Sequence, residues 1–152
     1  MLYVAYGSNM NMKQMKYRCP KSRVVGNGKI HGYRLVFNIH ADIIVADDAD
    51  YVPVVVWDIH DDDWCDLDMY EGFPKYYTKE IVSVEMEDTG KEVPAIVYVM
   101  TKKRKGIAPP FEDYFEVCLQ GYRDHGIGAE ILYDALDYAW ENETEYNQYN
   151  VR

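Results

Sequence analysis

Cysteine is scarce in this sequence: Cys19, Cys65 and Cys118 are the only three in 152 residues. Their number is odd, their spacing wide, and no C-x-x-C occurs. That excludes a disulfide framework and fits reduced thiols in a cytoplasmic protein. Positive charge is also short, with 16 Lys and Arg against 26 Asp and Glu and a net charge of −10. Such a chain repels nucleic acid and anionic membranes on average, so neither is an expected partner. The one basic run, Lys102 to Lys105, reads as a solvated loop. No run approaches the roughly 18 apolar residues of a membrane span, and the N-terminus has no basic, signal-like stretch.

Familiar chemistry is missing too. There is no Walker A loop, no G-x-G-x-x-G and no G-x-S-x-G. His31, His40, His60 and His125 fall on unrelated segments and lack metal-ligand spacing, so they read as surface or packing histidines. "HDDDW" has neither the Gly nor the distal Glu of an EF-hand. A helix N-terminus, where the dipole favours acid, explains it better. No metal and no cofactor are expected.

What is abundant is apolar and aromatic surface. Hydrophobic residues make up 48% and aromatics 14%, with 15 tyrosines. This is enough for one domain spanning residues 1–152, with the polar segment 144–152 as a frayed tail. Residues 2–6 read as a buried strand and 9–18 as an amphipathic helix, capped by Asn9 or Asn11. Glycines punctuate the next stretch. Strands follow at 33–39 and 51–59, with a short strand and polar loop between them. Pro53 must sit at a strand start or a bulge. A helix over 61–70 stops at Gly72. A hairpin pairs 76–86 with 91–100, and helices cover 111–126 and 129–143. Strands early and helices late indicate an α+β fold with a largely antiparallel or mixed sheet, able to curl into a small barrel. The aromatic C-terminal segment suits either an interface or a solvated helix, which leaves the oligomeric state open.

Two constellations stand out. In "YVAYGSN" (3–9) a polar, Gly-centred turn joins a strand to a helix, a place where backbone N–H groups can face an anion. In "LDMYEGF" (67–73) Glu71 sits at a helix end among Tyr70, Phe73, Tyr76 and Tyr77. Aromatic walls raise a carboxyl pKa towards that of a working general base. The plainer readings are a simple cap and turn, and a solvated Glu before a C-capping Gly.

These segments, with "GYRLVFN" and "PPFEDYFEVCLQGYRDHGI" in the same order and spacing, resemble the gamma-glutamylcyclotransferase (AIG2-like or BtrG-like) family from residue 2 to residue 127. The pairing of A-Y-G-S-N with L-D-x-x-E-G is the specific part. The resemblance implies a small mixed sheet curled into a partial barrel around one cavity, with peripheral helices. It implies an enzyme that cyclises a gamma-glutamyl amide to 5-oxoproline and frees an amine, without metal or cofactor. Carried over by position, Tyr3, Val4, Ala5, Tyr6, Gly7, Ser8 and Asn9 form the substrate wall, with N–H groups from Gly7 and Ser8. Glu71 matches the proton-transferring glutamate and Tyr114 a substrate-contacting tyrosine. The central strand, "VPVVVWDI", lacks the family's usual Gly step, which reshapes a cavity wall. Two other readings compete: a non-catalytic binding module on the same fold, and a serine hydrolase using Ser8, which has no paired His.

Overall fold

The computed structural model describes residues 1–102 and 106–143. Most of the basic run and the frayed-tail expectation therefore lie outside the described residues. Strand β1 is Leu2–Ala5, followed by a 3-10 turn at Ser8–Met10 and helix α1 at Met12–Arg18. Strands β2 (Arg23–His31), β3 (Tyr33–Asn38), β4 (His40–Val45) and β5 (Tyr51–Asp58) come next. Helix α2 (Trp64–Glu71), the hairpin β6 (Tyr77–Met86) and β7 (Glu92–Met100), and helices α3 (Glu112–Asp124) and α4 (Glu130–Glu141) complete the fold.

The barrel is closed rather than partial, with strand order β1-β5-β2-β6-β7. Its neighbours pair antiparallel except at the seam, where β1 and β7 run parallel at Tyr3↔Ile96. The sheet is therefore mixed. Closure gives every barrel strand a neighbour on both sides over at least part of its length, so the barrel has no wholly open edge strand. Its walls carry the core: Val4, Ile30, Val54, Val56, Val84 and Val97 are all fully buried. Pro53 is tolerated in central β5 because the β1 ladder reaches only to Ala5↔Val55, so at Pro53 one side of β5 has no partner strand.

Strand β2 had no counterpart among the sequence expectations. Gly26 and Gly28 hide it, because glycine weakens the strand pattern. Gly28 is there for space. A Cβ on it would lie 2.7 Å from Val84 Cγ1 and 2.9 Å from the Glu85 carbonyl oxygen, where β2 crosses to β6. Strands β3 and β4 form a separate two-stranded ribbon that packs against α4, β5 and β7. No described helix is long and apolar enough to cross a membrane.

The expected helix over 9–18 begins only at Met12. Asn11 is its cap, accepting from the Gln14 N–H at 3.0 Å. Asn9 lies before the helix, in the 3-10 turn, and its side chain is free for other work. Helix α2 ends as anticipated at Gly72, which adopts the left-handed conformation (φ 65°) that closes a helix cheaply only with glycine.

Candidate active site

A cavity of about 520 Å³ opens where the β1 turn, the β3–β4 corner, the end of α2, strand β7 and the start of α3 converge. Tyr3, Tyr6, Gly7, Ser8 and Asn9 line one side. Glu71, Tyr77, Tyr98 and Tyr114 face them from four other elements. Of the residues expected from sequence, Val4 and Ala5 do not reach the cavity. They lie in the short strand before the turn, where both faces are covered, and are 0% and 1% exposed in the core.

Glu71 is the only Asp or Glu among the described residues that line the cavity. Burial pushes its carboxyl up to about 7; the nearby Arg18 charge opposes the rise and Asp68 adds to it. The group therefore exchanges a proton near neutrality. Burial also raises Tyr3, Tyr6, Tyr77, Tyr98 and Tyr114 far above the ordinary phenol value, so all five stay neutral. His40, at the rim, is shifted down by burial.

The tyrosines are tied in place. Tyr6 donates to the Tyr98 carbonyl at 2.7 Å, and Tyr98 donates to Asp68, itself paired with Lys79 at 2.7 Å. Tyr77 donates to the Ala41 carbonyl at 2.9 Å, while the Ala41 N–H donates to Tyr114 Oη at 3.0 Å. The backbone on either side of Ala41 is thus held by two tyrosine hydroxyls. Tyr114→Phe would strand that N–H, and we expect a loss of about 1–2 kcal/mol in urea unfolding, with the fold intact. At the adjoining corner, Ile39 is held at φ 66° and lines the cavity. A β-branched residue there carries strain of roughly 1–3 kcal/mol.

The turn offers donors. Among the described residues no hydrogen bond uses the N–H of Gly7, Ser8 or Asn9, although the backbone carbonyls of Gly7 and Ser8 accept from Met10 and Asn11. A side chain at position 7 would crowd Ala41 Cβ at 3.0 Å and Tyr114 Oη at 3.1 Å. Ser8 Oγ meets Tyr70 Oη at 2.8 Å and has no histidine partner, which leaves no base for a serine nucleophile. Asn9 Nδ2 donates to Glu71 Oε1 at 3.1 Å and to Tyr3 Oη at 3.0 Å. Cys19 and Cys118 are buried thiols pushed up to about 12, far from thiolate chemistry, and Cys65 is exposed. Among the described residues no three His, Cys, Asp or Glu side chains cluster as metal ligands would.

Of the residues expected from sequence, the structure brings Tyr3, Tyr6, Gly7, Ser8, Asn9, Glu71 and Tyr114 to one cavity. Sequence reasoning did not single out Tyr98 or His40. Strand alternation shows that Tyr98 faces inward but does not say which cavity it meets.

One cavity of this barrel fold thus brings together a protonatable carboxyl and a turn whose N–H groups no described residue uses. Residues 3–116 match the family model for gamma-glutamyl cyclotransferase, AIG2-like, and the chain belongs to that family. It is 28% identical over 142 residues to the gamma-glutamylcyclotransferase of Homo sapiens, covering 85% of this chain and 73% of that protein. The Bos taurus gamma-glutamylcyclotransferase is also 28% identical, over 141 residues. A solved structure of a gamma-glutamyl cyclotransferase superposes with a TM-score of 0.76 at 24% identity, covering 95% of this chain and 89% of the other. A solved human protein described as uncharacterized gives 0.74 at 25% identity, covering 92% and 84%.

Proposed function

We propose that the protein converts a gamma-glutamyl amide to 5-oxoproline and a free amine, with Glu71 as the single proton carrier. The substrate's α-amine attacks its own γ-carbonyl carbon. A five-membered ring closes as that C–N bond forms, and the amide C–N bond to the leaving amine breaks. Glu71, ionised, accepts a proton from the α-ammonium and frees the lone pair; it then returns that proton to the departing nitrogen, and the second proton, shed by the ring nitrogen as the lactam forms, passes to the released amine, which leaves as its ammonium. A carboxyl near 7 can act in both directions at neutral pH. The unused N–H groups of Gly7, Ser8 and Asn9 would bind the substrate's carboxylate or the developing oxyanion. No protein nucleophile is needed, because the substrate carries its own, and holding it in a ring-closing pose supplies much of the rate.

The observation that carries this reading is the half-buried carboxyl of Glu71, the one Asp or Glu among the described lining residues, which shares the cavity with that turn. The test is a product balance over a panel of gamma-glutamyl amino acids and gamma-glutamyl-ε-lysine. Equal amounts of amine and 5-oxoproline are expected. Glutamate in place of 5-oxoproline would mean hydrolysis, and no product from any member would favour a binding module.

A further inference from the structure

Arg18 is the last residue of α1, half-buried and outside the cavity wall. From sequence it is a cation suitably placed at a helix C-terminus. Its guanidinium does something more specific. One arm donates to Asn9 Oδ1 and the other to Gln14 Oε1 at 3.0 Å, while the plane lies over the Tyr70 ring, 3.3 Å from the centroid. The ring and Gln14 fix the guanidinium, and the guanidinium fixes the Asn9 carboxamide.

That orientation decides where a proton can sit. A guanidinium has donors and no acceptor, so Asn9 must turn its oxygen towards Arg18. Its Nδ2 then faces the cavity, with one hydrogen for Tyr3 Oη and the other for Glu71 Oε1. Oε1 is thereby held as an acceptor whether Glu71 is ionised or neutral. No hydrogen bond among the described residues reaches Oε2. We propose that Arg18 is a positioning residue for Glu71: by locking the Asn9 amide it confines the mobile proton to Oε2.

The inference rests on the cyclotransferase reading for its kinetic consequence, but its geometry does not. If the amide were flipped, its oxygen would face Glu71, and the carboxyl would be driven to protonate on Oε1, the wrong atom. Arg18 also acts by charge. The groups around Glu71 are Arg18 from α1, Asp68 and Tyr70 from α2, Tyr3 from β1 and Tyr6 just after it, Tyr77 from β6 and Tyr98 from β7. Burial keeps Tyr3, Tyr6, Tyr77 and Tyr98 neutral and Asp68 raises Glu71, so among the described residues Arg18 is the cation that opposes the rise.

The test compares the native protein with Arg18→Met, which keeps an apolar stem on Tyr70, and Arg18→Lys, which keeps the charge but not the fork. Two readouts are needed. Carbon-13 NMR of glutamate-labelled protein follows the Glu71 carboxyl, assigned by its absence in Glu71→Gln. Steady-state kinetics follow 5-oxoproline. Arg18→Met should raise the Glu71 midpoint by about one pH unit. It should lower kcat on the order of 10- to 100-fold and leave KM within about threefold. Arg18→Lys should return the midpoint close to native, yet recover only part of kcat. A purely structural role would lower Tm and leave the midpoint in place. The proposal is overturned by an unmoved midpoint in Arg18→Met, or by a loss confined to KM. If the native protein makes no 5-oxoproline, the cyclotransferase reading fails, and the NMR midpoint alone then decides the positioning claim.

Discussion

Glu71→Gln is expected to reduce 5-oxoproline formation by about 10³-fold, within the range that removal of a general acid–base costs. Gln has nearly the same shape and its amide oxygen can still accept from Asn9, so the cavity is retained. The variant should also be more stable than the native protein in alkaline solution. The reason is the raised carboxyl. Its folded value is about 7 against an ordinary 4.5. Between those values the folded state binds more protons than the unfolded chain, so native stability falls as pH rises. The contribution is fully present below pH 4.5 and lost as pH passes through about 7. Gln does not titrate, so the Tm of the variant should gain on the native protein from pH 4.5 to pH 8 and level off above. Water at the cavity mouth screens the charge, which brings the gain to about 1–2 kcal/mol. A Tm difference independent of pH would show that Glu71 is not desolvated.

Gly121→Ala should cause a large loss of stability, about 3 kcal/mol by urea unfolding. Gly121 lies in the last turn of α3, a helix that packs on the turn carrying Ser8 and Asn9. An added Cβ would stand 2.8 Å from Asn11 N, 2.8 Å from Met10 Cβ and 2.9 Å from Met10 C. Two of those atoms are backbone and cannot rotate away. Nor can the turn slide easily, because α3 grips it at several points. Asn11 Nδ2 donates to the Val117 carbonyl at 3.1 Å, the Met12 N–H donates to Asp124 Oδ2 at 2.9 Å, and the His125 ring meets the Met10 carbonyl at 2.7 Å. Pushing α3 outward must strain those bonds or move Asn9 from Glu71. Activity should therefore fall beyond what the loss of folded protein explains. Unfolding within 0.5 kcal/mol of native would mean that the helix–turn contact is softer than its geometry indicates.

Much of this architecture is legible because it depends on local rules. Gly72 ends α2 through its positive φ, and the alternating pattern of the β6–β7 hairpin announces an antiparallel pair. The polar turn after β1 and the carboxyl beside Gly72 are visible as two separate oddities in otherwise ordinary elements. What local rules do not supply is the meeting of distant groups. Asn9 and Asn11 are equally good caps on paper. Only the tertiary contact with Arg18, Tyr3 and Glu71 assigns Asn11 to the helix and Asn9 to the site. Val4 and Ala5 come with the family resemblance as part of one continuous segment, but the strand holding them is covered on both faces and they lie in the core. Strand β2 escapes because Gly28 serves a close crossing with β6, a reason that exists only in three dimensions.

The central claim is that Glu71 moves the proton in a ring-closing release of 5-oxoproline. It is tested most directly by the pH dependence of kcat/KM for 5-oxoproline formation from a gamma-glutamyl amide, measured from pH 5 to pH 9. The predicted profile falls on the acid side with a midpoint near 7, as Glu71 becomes protonated and can no longer accept from the α-ammonium. A rate that stays level through that range, or that survives in Glu71→Gln, would contradict it.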